Sequence, residues 1–148
     1  MSSSDFSSLG VALGHATDEV GGTGLTVIRA IEADYVLRGA AAIVGRATAT
    51  REVATLTPDH IAKRVDAILL TGGSAYGLDA AAGVMRWMEE RGRGFPIAGG
   101  VVPIVPAAAV FDLAPLGKFA ARPTASMAYD ACERAQPNGI AEGSVGAG

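Results

Sequence analysis

The sequence predicts an α/β fold, and three observations carry that reading. Two runs near the start, residues 9–15 and 24–31, are β-like: Val11, Leu13 and His15 fall on one face of the first, and the second contains Leu25-Thr26-Val27-Ile28. An apolar run, Val65-Asp66-Ala67-Ile68-Leu69-Leu70, passes through the glycine-rich Thr71-Gly72-Gly73-Ser74-Ala75-Tyr76-Gly77 into residues 78–91, whose Ala81, Val84, Met85 and Met88 recur at helical spacing. After the first eight residues, strands and helices alternate without linkers or repeats, which gives one domain for 148 residues.

The elements follow in order. Residues 1–8, Met1-Ser2-Ser3-Ser4-Asp5-Phe6-Ser7-Ser8, have neither a basic nor an apolar region and are expected to form a disordered arm ahead of a domain over 9–148. Gly21-Gly22-Thr23-Gly24 is the turn between the first two strands. Tyr35-Val36-Leu37 is expected to begin a third strand, with residues 39–56 mostly loop. Thr57-Pro58-Asp59 carries the marks of a helix start, and a short helix is expected to about Arg64. The helix over 78–91 ends at Gly92. Residues 95–105 read as β with prolines at an edge or bulge, and residues 124–135 as a helix with Met127, Ala128, Ala131 and Cys132 on one face. Pro137-Asn138-Gly139 ends that helix, and the segment from Ile140 begins like a strand before stopping in glycines.

Composition narrows the function. Twelve basic and 15 acidic residues give a net charge of −3, and the longest basic run is Lys63-Arg64, so nucleic acid is not an expected partner. One cysteine excludes an internal disulfide framework, and without paired Cys or His spacings neither a structural zinc nor any other metal or cofactor is expected. Residues 97–111 are apolar but are interrupted by Pro103 and Pro106, short of the ~20 residues of a membrane helix. A cytoplasmic location is expected. Hydrophobic residues make up 49% of the chain but aromatics only 5%; 29 alanines and 20 glycines supply the difference. The charged fraction of 18%, below the ~25% of ordinary soluble domains, suggests burial in an oligomer.

The glycine turn is the one local arrangement with chemical character, because open α/β sheets place ligands at the C-terminal ends of their strands. A phosphate loop needs Lys and Ser/Thr after the second glycine, where Leu78 and Asp79 stand; a dinucleotide loop needs G-x-G-x-x-G; a nucleophile elbow needs glycine where Tyr76 stands. What remains is a turn presenting Ser74 and Tyr76 with backbone N–H groups that could receive an oxyanion. The competing reading is that the glycines only allow close packing and Tyr76 is a boundary aromatic. His15 reads as a strand-end histidine rather than a general base, His60 as a surface residue, and Cys132 as core rather than nucleophile.

Taken together, Gly14-His15-Ala16-Thr17-Asp18, Thr23-Gly24-Leu25-Thr26-Val27, the long block from Val65 through Ala81, Gly83-Val84-Met85-Arg86-Trp87, Gly100-Val101-Val102-Pro103-Ile104-Val105-Pro106, Phe111-Asp112-Leu113, Arg122-Pro123 and Glu142-Gly143-Ser144-Val145-Gly146-Ala147-Gly148 resemble, in order, the DmpA-like L-aminopeptidase/D-esterase family. That family includes β-aminopeptidases and nylon-oligomer hydrolases. The resemblance implies an αββα sandwich of the N-terminal-nucleophile-hydrolase type, of which this chain would be the N-terminal (α-chain) part. It implies autoproteolysis before an internal Ser or Thr, whose freed residue attacks small peptides, amides or esters. It moves Tyr76 to an auxiliary catalytic role, with Gly72, Gly73 and Ser74 lining the substrate pocket. The nucleophile is expected outside residues 1–148, on a companion C-terminal chain of a homo-oligomer; Ser2, in a flexible arm, is a poor substitute. Leu25 stands where many relatives have cysteine, and residues 38–52 match the family's glycine-rich loop only loosely. Two other readings stand beside this one: a non-catalytic, oligomeric small-ligand-binding protein on the same scaffold, and a nucleotide binder using the turn from Gly72 to Gly77.

Overall fold

The computed structural model describes residues 4–147; Met1, Ser2, Ser3 and Gly148 lie outside the described residues. Strands β1 (Val11–Asp18) and β2 (Thr23–Ala30) form an antiparallel pair in which Val11 faces Ala30 and Asp18 faces Thr23. Strand β4 (Ala67–Thr71) adds antiparallel to β2, β7 (Ala107–Ala109) adds parallel to β4, and the two-residue β3 (Thr50–Arg51) closes the far edge. The sheet order is β1-β2-β4-β7-β3. The chain between the parallel neighbours β4 and β7 carries α1 (Ser74–Gly77), a 3-10 turn over Leu78–Ala80, α2 (Ala81–Glu89) and the separate hairpin β5 (Phe95–Ile97) with β6 (Gly100–Val102). Helix α3 (Ala125–Arg134) completes the helical layer.

One face of the sheet is dry. Leu25, Val27, Ala67 and Leu69 alternate inward and meet Ala81, Val84, Trp87 and Met88 of α2 and Ala128, Ala131 and Cys132 of α3. Small residues make this close approach possible: a side chain at Gly83 would overlap the Ala125 backbone. Helix α3 starts at Thr124, whose Oγ1 accepts the Met127 N–H at 3.3 Å, and its C-terminal carbonyls are held by Arg29, which donates to Cys132 O at 3.0 Å and Ala135 O at 3.3 Å. Arg29 also stacks on Trp87 at 4.6 Å. Burial pushes the Cys132 thiol up to about 12, so it stays protonated and inert, in agreement with its reading as a core residue.

The opposite face is open. His15, Thr26, Leu70 and Ala108 share it, and with residues 141–147 they border a cavity of about 440 Å³. The described residues therefore build one helical layer and one principal sheet of the expected sandwich.

Several local expectations change. From residue 4 the leading arm is tied down: Asp5 bridges Asn138, and the Phe6 N–H donates to Pro137 O at 2.7 Å. Leu9 belongs to a 3-10 turn rather than to the first strand. Residues 35–37 form no strand; Leu37 makes a single bridge to Val65. No helix forms over 57–64. Thr57 is extended and its hydroxyl donates backwards to Ala54 O at 2.9 Å, so it closes the preceding 3-10 turn (Val53–Leu56) instead of capping a new helix. Lys63 has φ of +46°, which no right-handed helix accommodates, and a segment this short cannot offset the cost of nucleation. The helix after the turn begins earlier than expected, at Ser74, while Gly92 with φ of +63° ends it as predicted. Residues 140–147 form no strand; they lie against the first hairpin, Gly146 N–H donating to Thr17 Oγ1 at 2.8 Å.

Candidate active site

The site grows from the C-terminal end of β4. There the chain must turn from a central strand directly into a helix, and two glycines let it do so. Gly73 takes φ of +76°, and a Cβ on Gly72 would collide with the Asp112 carboxylate and the Thr23 hydroxyl. Ser74, a non-glycine residue, is held at φ of +52°, a conformation that persists only where its surroundings enforce it.

Asp112 supplies much of that enforcement. Its Oδ1 accepts the Gly73 N–H at 2.7 Å and its Oδ2 accepts the Thr23 hydroxyl at 2.6 Å, so one carboxylate clamps the turn to the start of β2. The Gly72 N–H donates to Gly24 O at 2.8 Å and the Ser74 N–H to Val110 O at 3.0 Å. This corrects the expectation that the turn offers free N–H donors. The first three N–H groups are all consumed in building it. Gly72 and Gly73 are buried and Ser74 is half-buried. Ala75 and Tyr76, the next two residues of α1, are exposed.

Tyr76 is 54% exposed despite its size. Its ring is held flat by Arg122, whose guanidinium carbon lies 3.6 Å from the ring centroid, with Phe119 on the same cation at 5.3 Å. Pro123, the next residue, packs against Gly73, so the stack is fixed relative to the turn. Beside it, Thr17, Asp18, Thr23, Phe111, Asp112 and Gly146 border a cleft of about 550 Å³.

Neither histidine reaches this turn. His15 Nδ1 bonds Thr26 Oγ1 at 2.9 Å on the open sheet face, where burial lowers its pKa, and His60 Nδ1 accepts the Ala62 N–H at 3.1 Å. Ser74 thus has the strained strand-to-helix setting of a nucleophile elbow but no histidine to activate it. Among the described residues no three His, Cys, Asp or Glu side chains gather as a metal site would need. No helix is long and apolar enough to cross a membrane among them. Sequence reasoning gave no role to Asp112 or Arg122. Asp112 lies 39 residues beyond Gly73 and Arg122 lies 46 beyond Tyr76, where no local spacing could reveal either.

The mixed sheet with helices on one side is a fold already seen in a solved structure. The chain superposes on a Burkholderia sp. beta-aminopeptidase with a TM-score of 0.60 at 20% identity, covering 93% of this chain and 39% of that one. The chain belongs to peptidase family S58, whose family model matches residues 8–148. It is 51% identical over 117 residues to an uncharacterized aminopeptidase of Mycobacterium leprae (strain TN), covering 74% of this chain and 32% of that protein. It is 53% identical over 110 residues to an uncharacterized aminopeptidase of Mycobacterium tuberculosis (strain ATCC 25618 / H37Rv), with 74% and 31% covered. The chain spans about a third of the length of these curated relatives.

Proposed function

We propose that the full-length protein containing this chain is an autoprocessed aminopeptidase or amidohydrolase, cytoplasmic and homo-oligomeric, and that it works without a cofactor. A Ser or Thr freed at a new N-terminus outside residues 1–148 attacks the carbonyl carbon of a small peptide, amide or ester. Its α-amino group, with a pKa of about 8, takes the hydroxyl proton and passes it to the leaving amine or alcohol. Water then cleaves the acyl-enzyme by the reverse use of the same base. Residues 1–148 contribute the wall of the site: Tyr76 donates its phenolic hydrogen to the developing oxyanion, and the turn of Gly72, Gly73 and Ser74 sets where that donor stands.

The observation that carries this reading is the clamped turn itself, a strained Ser74 backbone fixed by Asp112 with Tyr76 left exposed beside it. Such preorganisation of a donor is of use to a reaction that develops negative charge. An intact-mass spectrum of the full-length protein tests the processing step. Two chains summing to the precursor plus one water are expected; a single uncleaved chain that still hydrolyses an aminoacyl amide would overturn it.

A further inference from the structure

We propose that Arg122 is a specificity residue, and that the site takes substrates whose leaving part ends in a carboxylate, so that short peptides with a free C-terminus are preferred over the same peptides amidated. This rests on the aminopeptidase reading above.

The Arg122 head is held by stacking. Its guanidinium carbon lies over the Tyr76 ring at 3.6 Å from the centroid, so the ring covers one face of the cation and the terminal Nη N–H groups are left for an acceptor. The ion pairs among the described residues join other arginines, Arg64, Arg86 and Arg91, to acids; none involves Arg122. The carboxylates of this region serve other donors: Asp112 receives the Gly73 N–H and the Thr23 hydroxyl, and Asp18 receives the Gly21 N–H. The Nε of Arg122 is buried without an acceptor, so stacking rather than an ion pair fixes this side chain. A permanent positive charge therefore stands beside Tyr76 without an ion-pair partner among the described residues. Arg29 provides the contrast: it stacks on Trp87 but spends its N–H groups on the carbonyls of Ala30, Cys132 and Ala135.

The chemistry selects the ligand. A planar guanidinium edge matches a carboxylate bidentately. A polyanion is disfavoured by Asp18, Glu19 and Asp112 around the adjoining cleft. The leaving half of a dipeptide places its carboxylate a few bonds from the scissile carbonyl, on the side of the amine that departs. A cation stacked on the tyrosine that assists at that carbonyl is positioned to receive it.

The test compares Ala-Leu with Ala-Leu amide on the full-length enzyme and its Arg122→Gln and Arg122→Lys variants. The quantity read is the acid-to-amide ratio of kcat/KM, which cancels any loss shared by both substrates. A ratio of about ten or more is expected for the parent enzyme, falling to about one in Arg122→Gln through the KM of the acid, with Arg122→Lys between them. A parent ratio near one, or a ratio that survives Arg122→Gln, overturns the proposal and leaves Arg122 as a support for the Tyr76 ring. If neither peptide is cleaved by the parent protein, the aminopeptidase reading fails separately. Calorimetry with L-leucine and L-leucinamide then decides the inference: binding of the acid alone, lost in Arg122→Gln, upholds it, and equal or absent binding of the two refutes it.

Discussion

Replacing Tyr76 by phenylalanine in the full-length protein is expected to lower kcat for an aminoacyl amide by about 10²–10³-fold while KM changes little. That is the cost of removing one donor that acts only on the transition state. The substitution is a narrow one. It deletes the hydroxyl and keeps the ring, so the stack with Arg122 at 3.6 Å and the 54% exposure of residue 76 are preserved, and the midpoint of thermal unfolding should stay where it was. Steady-state kinetics on both proteins checks it. A loss of less than about threefold in kcat would remove Tyr76 from the chemistry and return it to the role of a boundary aromatic.

Asp112→Ala is expected to have the largest structural effect of any change at the site. It leaves the buried Gly73 N–H and the Thr23 hydroxyl without their acceptor, two charge-assisted hydrogen bonds at once. A loss of about 2–4 kcal/mol is expected from urea unfolding, because an unsatisfied buried donor costs more than a hydrogen bond contributes. The turn should lose function with stability: without the clamp, Ser74 at φ of +52° is held only by its own N–H bond to Val110 O and that of Gly72 to Gly24 O, and the Tyr76 that follows it is placed less firmly. Asp112→Asn retains one acceptor oxygen and should fall between the two. An unfolding midpoint unchanged in the alanine variant would show that the clamp is ornamental.

The two hairpin strands and both long helices could be read from the sequence because their signals are local. Leu25 and Val27 alternate inward at a period of two, and Ala81, Val84 and Met88 repeat at helical spacing over the same core. The glycine turn was legible for a similar reason, since a strand that must become a helix within a few residues needs Gly72 and Gly73. The helix expected after Thr57 was not found, because its start signal competes with the 3-10 turn that the same hydroxyl closes at Ala54. The state of the turn's donors was invisible. Which N–H groups are spent depends on Gly24, Val110 and Asp112, brought in from β2 and from the chain after β7. Arg122 was hidden in the same way: in sequence it is one basic residue before a proline, and only the fold lays it on Tyr76.

The open sheet face gives the composition its meaning. A chain with so many alanines and so few charges covers one side of its sheet with α2 and α3 and leaves His15, Leu70 and Ala108 beside a cavity of about 440 Å³. Leu70 remains 39% exposed there, although it sits in a central strand. The curated relatives it matches have about two thirds of their own length outside the matched stretch.

On the proposed function, residues 1–148 shape and assist an active site whose nucleophile lies outside them. Locating the acyl group tests that most directly: the full-length protein is mixed with an aminoacyl ester, quenched in acid, and mapped by peptide mass spectrometry. The acyl group is expected on a Ser or Thr at a newly formed N-terminus outside residues 1–148, with accumulation reduced in Tyr76→Phe. An acyl group on Ser74, or on any other hydroxyl within residues 1–148, would contradict it.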